Sequence, residues 1–385
     1  MSHSPFREAV INLGALSANV AQLKASTASP HLMIVVKANA YGHGMVESAQ
    51  AALAGGADWL GVADIDEALA LRSAGFTAPL LAWLHAPDET FGEAIEANIT
   101  LGVSSVAQLR ACAAAVEHTG VSRGGETSPS RQPARVHLKL ETGLGRNGAS
   151  EPDWAEFFAE AARSEKVGAI VVEGVFSHLS NTSEAADLAQ GEVFDRGVLA
   201  ARAAGLTPTL VHLAASAAAL TQPTLRYNMV RIGILAYGVS PFESRTPASL
   251  GLAPVMTLRA TVAAVRRVPE GQGVSYDYTY LTTGEATLVL VPFGYGEGIP
   301  RAASGSGPVV INGHRFTVTG RVAMDQFVVD VGDSPVAVGD EVVLFGDPAN
   351  GHPSVTEWAD AASTIGYEMV TRIGGRVHRT FSGRD

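Results

Sequence analysis

HLMIVVKANAYGHG, residues 31–44, is the stretch from which the fold is read. Its apolar, β-branched run carries no alternation, as expected of a strand buried on both faces of a parallel sheet. Lys37 stands at the C-terminal end of that run, and Gly42 and Gly44 open the turn into a helix. Working outward, similar short runs recur at MIVVK (33–37), WLGVA (59–63), PLLAWL (79–84), TLGVS (100–104), RVHLKL (135–140), GVFSHL (174–179), TLVHLA (209–214) and MVRIGIL (229–235). Between them lie Ala-rich helical stretches such as MVESAQAALAGG (45–56), DIDEALALRSAG (64–75), SVAQLRACAAAVEH (105–118) and SEAADLAQGEVFDRGVLAARAAG (183–205). Eight strands alternating with helices predict a closed parallel (β/α)8 barrel, with an open doubly wound sheet as the structural rival. In a barrel, active sites form at the C-terminal ends of the strands. A lysine at such a place is partly desolvated, which lowers its pKa and frees its lone pair to form a Schiff base. An ordinary snorkelling lysine fits the same position, and position alone does not choose between the two.

After about residue 250 the texture changes. VMTLRATVAAVRRV, ATLVLVPFG, GPVVINGHRFTVTGRVAMDQFVVDVG and GDEVVLFG read as strands with few helices between them. Asn312-Gly313 between two of these runs predicts a type I′ hairpin turn. The expected organisation is therefore a barrel over residues 1–248 and a mainly antiparallel β domain over 249–385, closed by a helical stretch at 356–373. The extreme N-terminus is a candidate to pair with the β domain. Segment 119–134, rich in Gly, Ser and Pro, reads as an exposed loop before the fifth strand.

Composition narrows the function. The chain has 385 residues, 46% hydrophobic and 17% charged, which suits a large folded core and excludes a mostly disordered chain. With 27 Lys+Arg against 38 Asp+Glu the formal charge is −11, so no net positive field draws nucleic acid. The single cysteine, Cys112, cannot form an intrachain disulfide. No run approaches the ~20 apolar residues of a membrane helix. MSHSPFREAVINLGAL lacks a basic region followed by a long apolar core, so no signal peptide is expected. These features read as a soluble, cytoplasmic protein with no membrane or nucleic-acid partner, and no metal site is expected.

VVKANAYGHG (35–44) resembles the pyridoxal-phosphate signature of alanine racemases, and the resemblance continues in order along the chain. KLETGLGRNG (139–148), FSHLSNTSE (176–184), HLAASAAAL (212–220) and MVRIGILAYG (229–238) resemble the family's barrel segments. GVSYDYTY (273–280), PFGYGEGIPR (292–301), GRVAMDQ (320–326) and GYEMVTRIGGRVHR (366–379) resemble motifs of its second domain. One such segment is a weak signal; this many in register, from residue 31 to 379, are specific.

The resemblance implies a homodimeric enzyme that uses pyridoxal 5'-phosphate to interconvert L- and D-alanine, a small amino-acid substrate, for the cell wall. Lys37 would bond the cofactor and serve as one of two acid/base groups; Tyr276, entering from the partner subunit, would be the other. Racemisation needs such a pair, because a proton leaves one face of Cα and another arrives on the opposite face. Lys37 and Tyr276 fall in different expected domains, as a shared site across a dimer requires. Arg231 would hydrogen-bond the pyridine nitrogen, which a guanidinium leaves unprotonated, weakening the electron sink and suppressing transamination. The phosphate would be held by Tyr41, Ser216, Tyr367 and the amides of Gly233 and Ile234. Arg146 would contact the cofactor ring oxygen and substrate carboxylate, and Lys139 matches a lysine that relatives often carry as a carbamate beside that arginine. His178 and His212 would form a network behind Arg231 and Tyr276, His178 counting among the cofactor-binding residues. Met324 and Tyr295 would line the carboxylate site and the entrance, with Asp325 fixing the turn that presents Met324.

The match departs from the family at several points. Ala215 stands where asparagine is usual, Glu141 replaces aspartate, Leu144 methionine, and His378 a common proline. GYGEG (294–298) replaces Gly-Tyr-Ala-Asp-Gly. A racemase for serine shares the motifs, and a poorly active homologue that sequesters cofactor or inhibitor would keep them too. Basic amino-acid decarboxylases share the two-domain plan but would be expected to place an acidic residue where Arg231 stands.

Overall fold

The computed structural model describes residues 6–119 and 132–383. Of the loop expected at 119–134, residues 120–131 lie outside the described residues. The chain packs as two compact units. One comprises residues 20–37 and 52–233; the other comprises residues up to Asn19, 38–51, and those from Ile234 onward. The first strand, β1 (Arg7–Asn12), belongs to the second unit.

The first unit holds β2 (His31–Val35), β3 (Trp59–Val62), β4 (Leu80–Ala82), β5 (Thr100–Val103), β6 (Ala134–Lys139), β7 (Ile170–Phe176), β8 (Leu210–His212) and β9 (Met229–Ile232). All are parallel, hydrogen-bonded in the order β8-β7-β6-β5-β4-β3-β2-β9. The ends of this row approach at an Ala215–Arg231 bridge, where the Arg231 amide donates to the Ala214 carbonyl at 3.1 Å. The sheet is thus a nearly closed barrel, and the doubly wound alternative falls away. Its strands are buried along nearly their whole length because both faces are covered, which is why they read as continuous apolar runs. Met33, Trp59, Leu81, Leu210 and Met229 cluster in the core with Trp83 against them. Helices follow the strands where start signals stand in the sequence. Asp64 accepts from the Glu67 amide ahead of Ile65–Ser73, and Ser183 from the Ala186 amide ahead of Glu184–Ala203.

The second unit adds β10 (Met256–Thr261), β11 (Ala264–Val268), β12 (Gly273–Val274), β13 (Tyr280–Leu281), β14 (Ala286–Val291), β15 (Pro308–Ile311), β16 (His314–Thr319), β17 (Phe327–Asp330), β18 (Glu341–Phe345) and β19 (His378–Ser382). Nine strands form one sheet in the order β11-β14-β17-β16-β15-β18-β10-β1-β19. Pairing is antiparallel except between β1 and β19. The β15–β16 hairpin turns on Asn312 (φ 51°) and Gly313 (φ 78°), the pair of positive φ values that a type I′ turn demands. The helical stretch expected at 356–373 is two short helices, Val355–Ala361 and Gly366–Thr371, and the unit then closes with β19. Ser363 in the left-handed region (φ 54°) and extended Ile365 break the helix there, although the apolar spacing carries across. Among the described residues no helix is long and apolar enough to cross a membrane.

Candidate active site

In the barrel unit the expected residues gather at the C-terminal ends of the strands. Lys37 lies two residues beyond β2, Lys139 ends β6, His178 lies two beyond β7, His212 ends β8, and Arg231 sits in β9. Arg231 is buried and held by five hydrogen bonds. One terminal nitrogen, Nη1, donates to His212 Nδ1 (2.9 Å) and to the His212 carbonyl (3.1 Å). The other, Nη2, donates to the Ser177 and Leu213 carbonyls (2.7 and 3.0 Å) and to His178 Nδ1 (3.1 Å). Burial, and then Arg146, pull its pKa down to about 9, so it stays charged at neutral pH.

A guanidinium has only protons to offer, so both histidines must accept at Nδ1 and carry their protons on Nε2. His212 then donates from Nε2 to His137 Nδ1 at 2.9 Å, which leaves the proton of His137 on its own Nε2. All three rings stay neutral. Burial, then Arg231, hold His137 and His178 down to about 3, and His212 well below its usual value. Phe176 stacks on His212 (4.9 Å between centroids, 5° between planes) and has the Arg231 guanidinium 5.7 Å and Lys139 Nζ 5.8 Å from its centroid. His178 and His212 thus form a hydrogen-bonded network with Arg231. His137 and Phe176 extend it, and sequence reading missed both. A signal existed: His137 is two residues before Lys139 on one strand, so both point to the same face.

Lys37 is half-buried with Nζ 5.9 Å from the Trp83 ring centroid. Burial and then Arg146 lower its pKa, while Glu67 opposes them. Lys139 is pulled down to about 8 by burial, Arg146 and Arg231, with Lys37 adding to the effect and Glu141 opposing it. Arg146 itself is exposed, on a turn organised by Glu141, whose carboxylate accepts from the amides of Gly143, Gly145 and Arg146 at 2.6, 3.0 and 3.1 Å. Burial pushes the Glu141 carboxyl up, but those amides outweigh it and hold it below the usual range. The exchange of aspartate for glutamate thus still builds the turn. Ser216 Oγ accepts from the Gly233 amide at 3.1 Å. Ala215, at the N-cap of helix Ser216–Thr221, leaves that helix without a side-chain cap.

In the second unit, the turn that follows Lys37 in the chain is left-handed. Ala38, Asn39, Ala40 and Tyr41 have φ of 52°, 53°, 54° and 51°, and Gly42 continues at 83°. Each non-glycine residue in that region costs about 1–2 kcal/mol, so four in succession need bracing. The Gly42 amide donates to the Ala38 carbonyl, the Gly44 amide to that of Asn39 (each 3.0 Å), and the Met45 amide to Asn39 Oδ1 (2.9 Å). A Cβ at Gly42 would strike the Val370 carbonyl, so glycine is required there on two counts. The Tyr41 ring lies 5.1 Å from Tyr237 and 6.4 Å from Tyr367.

Tyr276 stands on a strained turn, between Ser275 (φ 61°) and Asp277 (φ 60°), and is 67% exposed. Ser275 Oγ donates to the Arg321 carbonyl at 2.7 Å, and Arg321 Nε bonds Asp277 Oδ2 at 2.6 Å, so both neighbours are tied down while the tyrosine projects. Tyr295 and Met324 are 43% and 54% exposed. Their turns are joined by the Tyr295 amide donating to the Ala323 carbonyl (3.0 Å) and the Gly296 amide to that of Met324 (2.7 Å). Asp325 lies 2.8 Å from Nη2 of Arg376, which also lies 2.6 Å from the fully buried Glu297. A Cβ at residue 296 would meet that guanidinium, the movable end of a long side chain.

The donor set fits a phosphorylated, carbonyl-bearing cofactor. The barrel unit supplies a partly desolvated lysine, a fixed arginine and a hydroxyl beside a glycine amide.

Comparison with known proteins agrees along the whole chain. Residues 11–241 match the family profile described as alanine racemase, N-terminal domain, and residues 255–381 that described as alanine racemase, C-terminal domain. A curated relative, the alanine racemase of Thermobifida fusca, is 48% identical over 383 residues, covering 99% of each chain. The crystal structure of the alanine racemase of Streptomyces lavendulae superposes with a TM-score of 0.94 at 45% identity, covering 99% of this chain and 98% of that one. The enzyme of Streptomyces coelicolor A3(2) gives 0.93 at 45% identity over 97% of each.

Proposed function

The chain belongs to the alanine racemase family, and from that premise we propose that it interconverts L- and D-alanine with pyridoxal 5'-phosphate. The observation that carries this reading is Arg231. A buried guanidinium fixed by five bonds stands where a decarboxylase would need an acid. When bound, the cofactor supplies the electron sink that makes the α-proton of the substrate acidic.

The residues of the chain do the rest. Lys37 holds the cofactor. Burial and then Arg146 disfavour its charged form, which eases the departure of a proton from Nζ. The Tyr276 hydroxyl moves a proton on the opposite face. Arg231 donates a hydrogen bond to the ring nitrogen and keeps its proton, with His178 and His212 holding its orientation. Tyr41, Tyr367, Ser216 and the Gly233 and Ile234 amides bind the phosphate. Arg146 and the Met324 amide orient the substrate carboxylate, and Tyr295 narrows the entrance to small side chains. Lys139, with a pKa near 8, is neutral often enough to take up carbon dioxide as a carbamate, which would place an anion beside Arg146.

Residues 1–248 are proposed as the cofactor-binding domain and 249–385 as the domain that completes the site of a partner subunit in a homodimer. The exposed aromatic and apolar side chains of Tyr276, Tyr278, Leu281, Tyr295 and Met324 support that assembly. The lone, buried Cys112 suits the reducing cytoplasm, where D-alanine would feed peptidoglycan synthesis. Serine racemisation and inhibitor sequestration are not favoured, since the relatives above are named alanine racemases.

The test is a racemisation time course on cofactor-saturated protein with L-alanine and L-serine, read on a chiral column. Fast approach to an equal mixture from L-alanine, and much slower from L-serine, is expected. No racemisation of either, with cofactor bound through Lys37, would overturn the reading.

A further inference from the structure

His43 has no part in the function proposed above, yet it sits at the centre of the left-handed turn. It is fully buried. Its Nδ1 lies 3.0 Å from the Ala40 carbonyl and 3.0 Å from that of Tyr41, two residues of the turn itself. Two acceptors around one nitrogen require that Nδ1 carry the proton. Nε2 is then an acceptor, and it meets no donor among the described residues. A ring chosen only to fill space would leave no such orphan, since leucine fills a similar volume without one. The bond made at Nδ1 is what distinguishes histidine here. The ring also stacks on Tyr237 (4.6 Å, 29°), whose other neighbour is Tyr41. A second brace comes from Arg379, which donates from Nε to the Gly42 carbonyl (2.7 Å) and from Nη2 to the Ile373 carbonyl (2.8 Å). That arginine ties the turn to the chain just after the helix carrying Tyr367.

We propose that His43 is a positioning residue, whose Nδ1 proton locks residues 38–41 in the left-handed conformation that presents Tyr41 and follows directly from Lys37. The turn is strained by four successive L residues. His43 reaches back and meets the carbonyls of Ala40 and Tyr41. The proposal rests on the cofactor role assigned above to Lys37 and Tyr41.

The test compares the full-length wild type with His43→Asn and His43→Leu. Asparagine can place an N–H near the position of Nδ1; leucine keeps the volume and removes the donor. Two quantities are read, amide hydrogen exchange over residues 38–45 in the apoprotein and the dissociation constant of pyridoxal 5'-phosphate. The expected result is exchange at least tenfold faster and binding at least tenfold weaker in His43→Leu, with His43→Asn within about threefold of wild type in both. A leucine variant that fails to fold beside an asparagine variant that behaves as wild type supports the same conclusion. A role in packing alone predicts the reverse order, and that order overturns the proposal. So does a leucine variant equal to wild type, or failure of both variants to fold, since ring volume would then be what the site needs. Wild-type protein that binds no pyridoxal phosphate would instead sink the functional reading, and the exchange data would still judge the turn.

Discussion

Tyr276 is placed by its neighbours: Ser275 and Asp277 anchor the turn on Arg321, and the ring projects from it. Removing its hydroxyl should therefore leave the fold untouched. Tyr276→Phe is expected to lower racemisation by about 10²–10⁴, the usual worth of one proton-transfer group, with cofactor affinity unchanged. Initial rates in both directions, with the cofactor absorbance as control, decide it; wild-type rates would remove the residue from the mechanism. At this scale much of the site was legible, because Lys37, Arg231, Arg146 and Tyr276 lie in contiguous motifs. His137, Phe176 and Trp83 were not. Each acts through a neighbour far away in the chain, as His137 does through His212, seventy-five positions on, and the face that His137 shares with Lys139 was the one local mark of it.

Among the elements, the helix Ser216–Thr221 begins without a cap, because Ala215 stands at its N-cap. Ala215→Asn should add a side-chain acceptor for the first free amides and raise stability by about 0.5–2 kcal/mol. Urea denaturation of both proteins measures this, and an unchanged midpoint would mean those amides are already satisfied. The barrel strands were readable because burial on both faces writes an unbroken apolar run. The break at Ser363 was not, since alanine and threonine spacing continues through it and serine with a positive φ carries no strong signature. The joining of β1 to β10 and β19 was open to conjecture only, for a six-residue strand names no partner.

For the molecule as a whole, the buried histidines set its tolerance of acid. Burial draws His43 and His85 down to about 4, against the opposing pull of backbone carbonyls, and it draws His137 and His178 down to about 3. In the unfolded chain the same groups titrate near 6.5. Below that pH the unfolded state binds protons that the folded state refuses, so stability is full above about 6.5 and is lost as pH falls towards 4 and then 3. Each unit of depression is worth about 1.4 kcal/mol, so several such groups together should remove several kcal/mol between pH 7 and pH 5. Denaturation midpoints across that interval, where ordinary carboxylates remain ionised, test it. A flat profile would mean that these rings are not held neutral inside the fold.

The place of β1 imposes an order on synthesis. Residues 7–12 leave the ribosome long before the strand that flanks them on one side, residues 378–382. At ~5–20 residues per second, roughly twenty to eighty seconds separate the two. Through that interval the nascent chain carries an apolar strand with an open edge, which β10 can cover on one side only after residue 261 has emerged. The outermost pairing of the nine-stranded sheet, β1 with β19, thus forms after that of β1 with β10, and removing residues 378–382 would leave that edge of β1 exposed for good.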